Sequence, residues 1–303
     1  MRKYIIFFIG FTFLFSVNCG YDKNFGYTVR IFYESGCENP RWSDYDNRIY
    51  FVPPWISEYS HGDVICSIDE NGDYLKIIDF GDKFCGEIGS FSISPDGKFI
   101  VFSGKEISDK LSLIYKYSFE TGTVEELFNN DDFVSNGCPV WNADDWIYFI
   151  RDNGGMGDSQ IWRIRPDGSE LSKVDVDINK DIFSIDNSKD GKYLLLGCYG
   201  GYFNEDIIIQ SLDDLNIRKI DNDDNFYDPC FSPDSRWICA GHDHELYIMS
   251  SQGDFDPVRI TDHDEGPSQG DIEPYWSPDG EWIVFLRDYG FLCKVKVPDE
   301  FLP

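Results

Sequence analysis

The segment Trp276-Ser277-Pro278-Asp279-Gly280-Glu281-Trp282-Ile283-Val284-Phe285 is the most informative part of the sequence, because variants of it occur six times along the chain. Aligned on the polar residue that begins the turn, the copies lie 44 to 51 residues apart. The aligned positions are Ser43, Ser94, Asn142, Ser188, Ser232 and Ser277. A repeat of this length holds four short strands and their turns, which is one blade of a β-propeller. The sequence therefore predicts an all-β, six-bladed β-propeller.

Each copy has the same internal order. The Pro-Asp-Gly segment is typical of a tight turn, since Pro presets φ and Asp and Gly tolerate the remaining turn dihedrals. The apolar run that follows, such as Trp282–Leu286, fits a strand buried on both faces between neighbouring blades. A β-sandwich is the alternative, but six similar units are too many for one. A seventh copy, as a seven-bladed ring would need, is not found.

The last unit lacks its fourth strand, because the chain ends at Pro303 soon after the run Phe291–Val297. The segment Tyr27–Tyr33 precedes the first unit and has the composition of a strand. We expect it to fill the vacant place and close the ring. Such closure removes an open sheet edge that would otherwise invite aggregation.

These repeats resemble those of TolB-type propellers, a repeat also seen in the propeller of prolyl-oligopeptidase-like peptidases. Glu273–Phe285 matches the family pattern fully, and Asp228–Ile238 matches it with Ser235 in place of Gly. Cys138–Ile147 matches it best in the second half of its unit. The resemblance covers residues 27 to 298 and implies an interaction scaffold more than an activity.

The N-terminus has the form of an export signal. Met-Arg-Lys is followed by the uncharged apolar stretch Tyr4–Phe15 and by Ser16-Val17-Asn18-Cys19. Cys19 stands where bacterial lipoproteins carry their lipidated Cys, so residues 1–18 are interpreted as a lipoprotein signal peptide, 19–26 as a linker and 27–303 as a single propeller. Plain secretion and a retained anchor are the alternatives. The expected location is periplasmic or outer-membrane-associated, with membrane contact only through the lipid.

The charge limits the partners. The chain carries 55 Asp and Glu against 26 Lys and Arg, a net charge of −29. A surface this acidic repels nucleic acid and anionic lipid. We expect a monomer that binds an envelope protein or peptide, although the acidity could also serve solubility alone.

Cysteine and histidine give weaker signals. Apart from Cys19, eight cysteines are scattered singly, without Cys-x-x-Cys pairs or zinc spacing, so mostly free buried thiols and at most one or two disulfides are expected. His242 and His244 would face the same way on a strand, as half a metal site or as exposed strand ends. The acidic runs 69–73 and 221–225 offer oxygen ligands for Ca²⁺, but not with the spacing of a calcium loop; a solvated turn is the alternative.

The register of the repeats predicts a ring of residues at one mouth of the central channel. In four units the residue before a proline occupies this position, and counting the same offset gives a Ser in the other two. The predicted ligand-binding ring is Asn39, Ser90, Cys138, Ser184, Asp228 and Glu273. Gluconolactonase-like six-bladed enzymes hold a channel metal with carboxylates and Asn, and this chain is similar in residue chemistry but not in motifs.

The sequence therefore favours a non-catalytic, extracytoplasmic binding scaffold that engages a protein or peptide at one face of the ring. No catalytic residue and no cofactor are predicted, with Ca²⁺ as a possible ion. The alternative is a metal-dependent hydrolase or lactonase with its site at the channel mouth. A water-filled channel without specific function is the third interpretation of the same residues.

Overall fold

The structure is a computed structural model. It describes residues 28–32, 35–53, 63–81, 83–84, 88–106, 111–128, 135–152, 159–176, 178, 180–201, 204–220, 225–262, 270–288 and 290–303. The predicted signal peptide, Cys19 and the 19–26 linker lie outside these ranges. The described chain forms six four-stranded antiparallel sheets, which confirms the six-bladed propeller.

In chain order the strands of the first three blades are β2 (Glu38–Trp42), β3 (Ile49–Val52), β4 (Val64–Ile68), β5 (Lys76–Asp79); β6 (Ile88–Ile93), β7 (Phe99–Gly104), β8 (Leu113–Ser118), β9 (Val124–Glu126); β10 (Ser135–Trp141), β11 (Ile147–Asp152), β12 (Gln160–Ile164), β13 (Ser172–Lys173). Those of the last three are β14 (Asp181–Asn187), β15 (Tyr193–Gly201), β16 (Asn204–Ser211), β17 (Ile217–Lys219); β18 (Tyr227–Phe231), β19 (Trp237–His242), β20 (Glu245–Ser250), β21 (Val258–Arg259); β22 (Asp271–Trp276), β23 (Trp282–Arg287), β24 (Phe291–Lys296), with β1 (Thr28–Arg30). A short 3-10 helix, Asp299–Phe301, follows.

The recurrent turn is held by its serine. Ser277 Oγ accepts from the backbone N–H of Trp282 at 2.9 Å and donates to Asp279 Oδ1 at 2.6 Å. Gly280 adopts φ +75°, and the equivalent Ser235 adopts φ +59°, so a non-glycine residue keeps the same turn at some cost in strain. The repeated serine therefore serves to hold the turn.

Strands in the middle of each blade divide their side chains between two neighbours. Along β23, Ile283 and Phe285 pack toward the fifth blade, whereas Val284 and Leu286 pack toward the first. Side chains of successive strand residues point to opposite faces, so one continuous apolar run serves two interfaces. The core is thus a series of apolar layers between blades, and the innermost strands of adjacent blades contact one another around the channel.

The ring closes as expected. β1 pairs antiparallel with β24, with Val29 opposite Lys294 and Arg30 opposite Cys293. Ile31 continues the pairing through a 3.0 Å bond from its N–H to Leu292 O. Tyr27 and Tyr33, the ends of the predicted segment, lie outside the described residues. Within the described residues no helix has both the length and the apolar character needed to cross a bilayer.

Candidate functional site

A β-bulge shapes the innermost strand of four blades. Asn39, Cys138, Asp228 and Glu273 each precede a proline, and their φ angles of 49° to 52° are left-handed. The pairing register breaks at each of these positions. Proline lacks the N–H that a regular ladder needs, and a bulge bends the strand and turns one side chain away from the regular pattern. Left-handed non-glycine residues cost about 1–3 kcal/mol each and concentrate at functional sites.

All six residues of the predicted ring line one cavity of about 170 Å³. Ser90 and Ser184 belong to it although their units lack the proline, since register breaks also occur in β6 and β14. The structure thus brings the ring together at one channel mouth. That it binds a ligand stays a prediction.

Sequence reasoning missed a second layer of the cavity, two residues further along the innermost strands. This layer consists of Arg41, Asp186, Cys230 and Tyr275. Asp186 Oδ2 accepts from the backbone N–H of Phe231 at 2.8 Å. Arg41 lies over the Tyr275 ring with 5.2 Å between guanidinium carbon and ring centroid. The sequence held a signal for this layer, because adding two to Asn39, Ser184, Asp228 and Glu273 gives these four residues.

A chain of hydrogen bonds runs through three consecutive blades at the mouth. The backbone N–H of Glu273 donates to Asp228 Oδ2 at 3.4 Å, and the backbone N–H of Asn39 donates to Glu273 Oε2 at 2.6 Å. Each carboxylate is therefore held by a backbone group of the next blade. These contacts fix the direction of the carboxylates but bring only a partial positive charge, so they do not neutralise them.

The carboxylates sit in surroundings that disfavour their charge. Burial, and after it the charge of Asp228, raises the pKa of Glu273 to about 7. Burial also raises the pKa of Asp228 and that of Asp186. Arg41 lowers the pKa of all three, but burial outweighs it. The mouth therefore holds several carboxyl groups beside one guanidinium, a cluster that an added cation would stabilise.

Beside this cluster lies a further acid that sequence reasoning did not find. Oε2 of Glu205 is buried and has no hydrogen-bond partner among the described residues. Burial, followed by the charge of Asp228, raises the pKa of Glu205 to about 7. Tyr199 pairs with Glu205 across β15 and β16, is 49% exposed, and packs on Phe183 with 4.6 Å between ring centroids. Aromatic faces next to carboxylates suit a cationic ligand.

Glu273→Gln should stabilise the protein increasingly as pH rises. The pKa of about 7 exceeds the ordinary 4.5, so the folded state binds this proton more tightly than the unfolded state. Glu273 therefore lowers the free energy of unfolding little below pH 4.5, where it is protonated in both states. The loss grows as the pH rises toward 7, because the unfolded state then releases the proton and the folded state must lose it as well. We expect the variant to gain about 1–3 kcal/mol at pH 8 and much less near pH 5.

Urea unfolding of both proteins between pH 5 and pH 8 measures this difference. Glu281→Gln, which removes an exposed carboxylate near the same strand, is the matched control. A difference in the free energy of unfolding that does not change with pH would contradict the assignment of a disfavoured charge to Glu273.

The other sequence candidates are placed differently. Asp243 and His244 form the two-residue turn between β19 and β20 with φ of 47° and 73°, so His244 does not share a strand face with His242. Asp69 Oδ1 accepts from the N–H groups of Asn71 and Asp73 at 3.0 and 2.8 Å. This carboxylate oxygen therefore holds the backbone of its own turn. Residues 221–224 lie outside the described residues.

The described residues also bear on the metal and disulfide expectations. No group of three or more His, Cys, Asp or Glu side chains there is arranged to hold a metal ion. Cys66, Cys138, Cys230 and Cys239 are not disulfide-bonded. Cys85 lies outside the described ranges. The Ca²⁺ expectation stays a prediction.

Comparisons with known proteins support the fold. No family model matches the chain. An uncharacterised Agrobacterium fabrum protein, Atu1656, is 24% identical over 196 residues, which are 64% of this chain and 53% of that protein. The chain thus spans about half the length of this curated relative.

Solved structures match over most of the chain. A structure from Agrobacterium tumefaciens assigned to TolB has a TM-score of 0.62 and 19% identity, covering 87% of this chain and 91% of its own. A Xanthomonas campestris gluconolactonase, XC5397, has a TM-score of 0.64 and 12% identity, with 90% of each chain covered. At such identities the likeness extends to the fold alone. The chain has the six-bladed propeller architecture that TolB structures share.

Proposed function

We propose that this protein is a non-catalytic, exported binding scaffold whose channel mouth receives a basic group of a protein or peptide partner. The observation that carries the proposal is the pair Asp228 and Glu273 from adjacent blades, whose carboxylates each accept a backbone N–H and share one nearby guanidinium, that of Arg41. A Lys or Arg side chain, or a terminal amine, would add positive charge to that of Arg41, which does not outweigh burial. The strongly acidic chain would also speed the approach of a basic partner.

A weaker alternative would place a metal-dependent hydrolase at the same mouth, and the gluconolactonase likeness is the observation that raises it. That likeness concerns architecture, and the described residues offer no three-ligand group for the metal. A binding scaffold requires only the carboxylates and the aromatic side chains of Phe183 and Tyr275, which line the cavity. We therefore favour binding over catalysis.

A capture experiment tests the proposal. The chain from residue 19, with a C-terminal tag, is incubated with a detergent extract of the native host's envelope. A partner should be retained by the unchanged protein and released by about 0.5 M salt, because screening at that ionic strength is strong. An Asp228→Asn/Glu273→Gln bait should lose that partner. Retention by this bait, or dependence of capture on added Ca²⁺, would contradict recognition of a basic group.

Anchoring is proposed to depend on Cys19, which the sequence places after residues 1–18. Cys19→Ala, expressed in the native host, should move from the detergent phase to the aqueous phase in a Triton X-114 partition, because two or three acyl chains supply the membrane affinity. Ser16→Ala, two positions inside the interpreted signal peptide, is the control. If Cys19→Ala stays in the detergent phase, lipidation of Cys19 is not the anchor.

A further inference from the structure

The channel has a second mouth, on the face that carries the Ser-Pro-Asp-Gly turns. A cavity of about 260 Å³ lies there, and all six blades contribute to its lining. Asp186 and Tyr275 line both this cavity and the one at the first mouth. The two cavities therefore adjoin along the channel, and whatever covers the turn face decides whether the channel opens at one end or at both.

The residue after the aligned Ser or Asn occupies an equivalent position in every blade and lines this second cavity. Four blades carry an apolar residue there and two carry a charge: Pro95, Ala143, Pro233 and Pro278, against Asp44 and Lys189. The charged residues belong to the first and fourth blades, which are opposite each other in a six-membered ring. Lys189 Nζ lies 2.9 Å from Asp44 Oδ1. The two departures from the repeat thus meet across the mouth.

The local turns do not require either charge. In the fourth blade Ser188 Oγ donates to Asp190 and accepts from Tyr193 N–H at 2.9 Å, the same bonds that the proline-containing turns make. In the first blade it is Asp46, and not Asp44, that accepts from the turn backbone. The hydrogen bonds that hold these two turns therefore do not involve the side chains of Asp44 and Lys189, which contact each other instead.

We infer that the Asp44–Lys189 ion pair is a strap that closes the turn-face mouth, so that the channel opens to large molecules only at the mouth lined by Asp228 and Glu273. The side chains of Lys189 and Asp44 are 49% and 54% exposed. Pairs this exposed are weak, so the strap can open without unfolding the ring. The inference does not depend on the identity of any partner, and it predicts that an extended chain does not thread through the channel from the turn face.

A thiol-labelling experiment tests the strap. Ser92 lines the second cavity, and Ser92→Cys places a reporter beneath the ion pair. Labelling by a bulky uncharged maleimide is followed at peptide level by mass spectrometry. Asp44→Asn and Lys189→Met should each label the reporter faster, by about 1.5- to fivefold, the range expected for loss of an exposed ion pair. The exchanged pair Asp44→Lys/Lys189→Asp should restore the slow rate.

Two controls separate opening from general loosening. Asp96→Asn breaks a pair with Lys98 inside one turn and should leave the reporter rate unchanged. The native thiol of Cys138 lines the opposite cavity and should keep its rate in every variant. Equal reporter rates with and without the pair would overturn the inference. So would an exchanged pair that labels as fast as the single variants, or a parallel rise at Cys138.

Discussion

Deletion of residues 27–33 should abolish cooperative unfolding or cause aggregation. This deletion removes β1 and exposes the whole edge of β24, whose N–H and C=O groups would then pair with other chains. It also removes Ile31, which is 5% exposed, and Val29 from the apolar layer between the last and first blades. Burial of Ile31 contributes about 1.5–3 kcal/mol and the partly buried Val29 adds less, a substantial part of the 5–15 kcal/mol that stabilises a typical domain.

Thermal unfolding followed by circular dichroism and light scattering measures the result. A variant that begins at Tyr27 keeps β1 and is the matched control for loss of the N-terminal segment. Ile31→Ala keeps the strand but removes its buried anchor, and should cost about 2–4 kcal/mol. A soluble deletion variant with an unchanged melting temperature would show that β1 does not hold the ring closed.

The double variant Asp228→Asn/Glu273→Gln should be more stable than the unchanged protein and should lose its partner. Its amide oxygens can still accept from the backbone N–H groups of Glu273 (here Gln) and Asn39, while the two disfavoured charges disappear. Because the partner's basic group would then face a neutral site, we expect at least about a thirtyfold loss of affinity, typical of truncating one side of a buried charge pair.

These opposed effects distinguish a binding site from a structural one. If the two carboxylates held the fold together, neutralising them would make the protein less stable. Urea unfolding and isothermal titration with the captured partner measure both. Glu281→Gln/Glu300→Gln changes the net charge equally at two exposed positions and should leave affinity within about twofold at 0.15 M salt, where screening is strong. A less stable double variant that keeps its partner would assign Asp228 and Glu273 to structure alone.

The architecture could be predicted from the residues alone, because the turn signal and the apolar run recur at a blade's length and one copy cannot bury its faces without its neighbours. The sequence also located the ring at the first mouth. The offset from the turn is the same in every unit, so Asn39, Asp228 and Glu273 could be placed on equivalent strands without knowledge of their contacts. The closing strand followed from counting strands in the last blade.

The electrostatics of the mouth and the long-range pairs could not be predicted from the repeats, because they depend on the folded ring. The pKa of Glu273 depends on burial and on Asp228 in the neighbouring blade, and Glu205 enters the cluster from a different strand of another blade. Asp44 and Lys189 are far apart in the chain, and no local pattern links them until the ring closes and sets their blades opposite each other. The repeat predicts where a residue lies within its own blade. Which charges face one another depends on how the blades are arranged in the closed ring, and the spacing of residues along the chain does not give those distances.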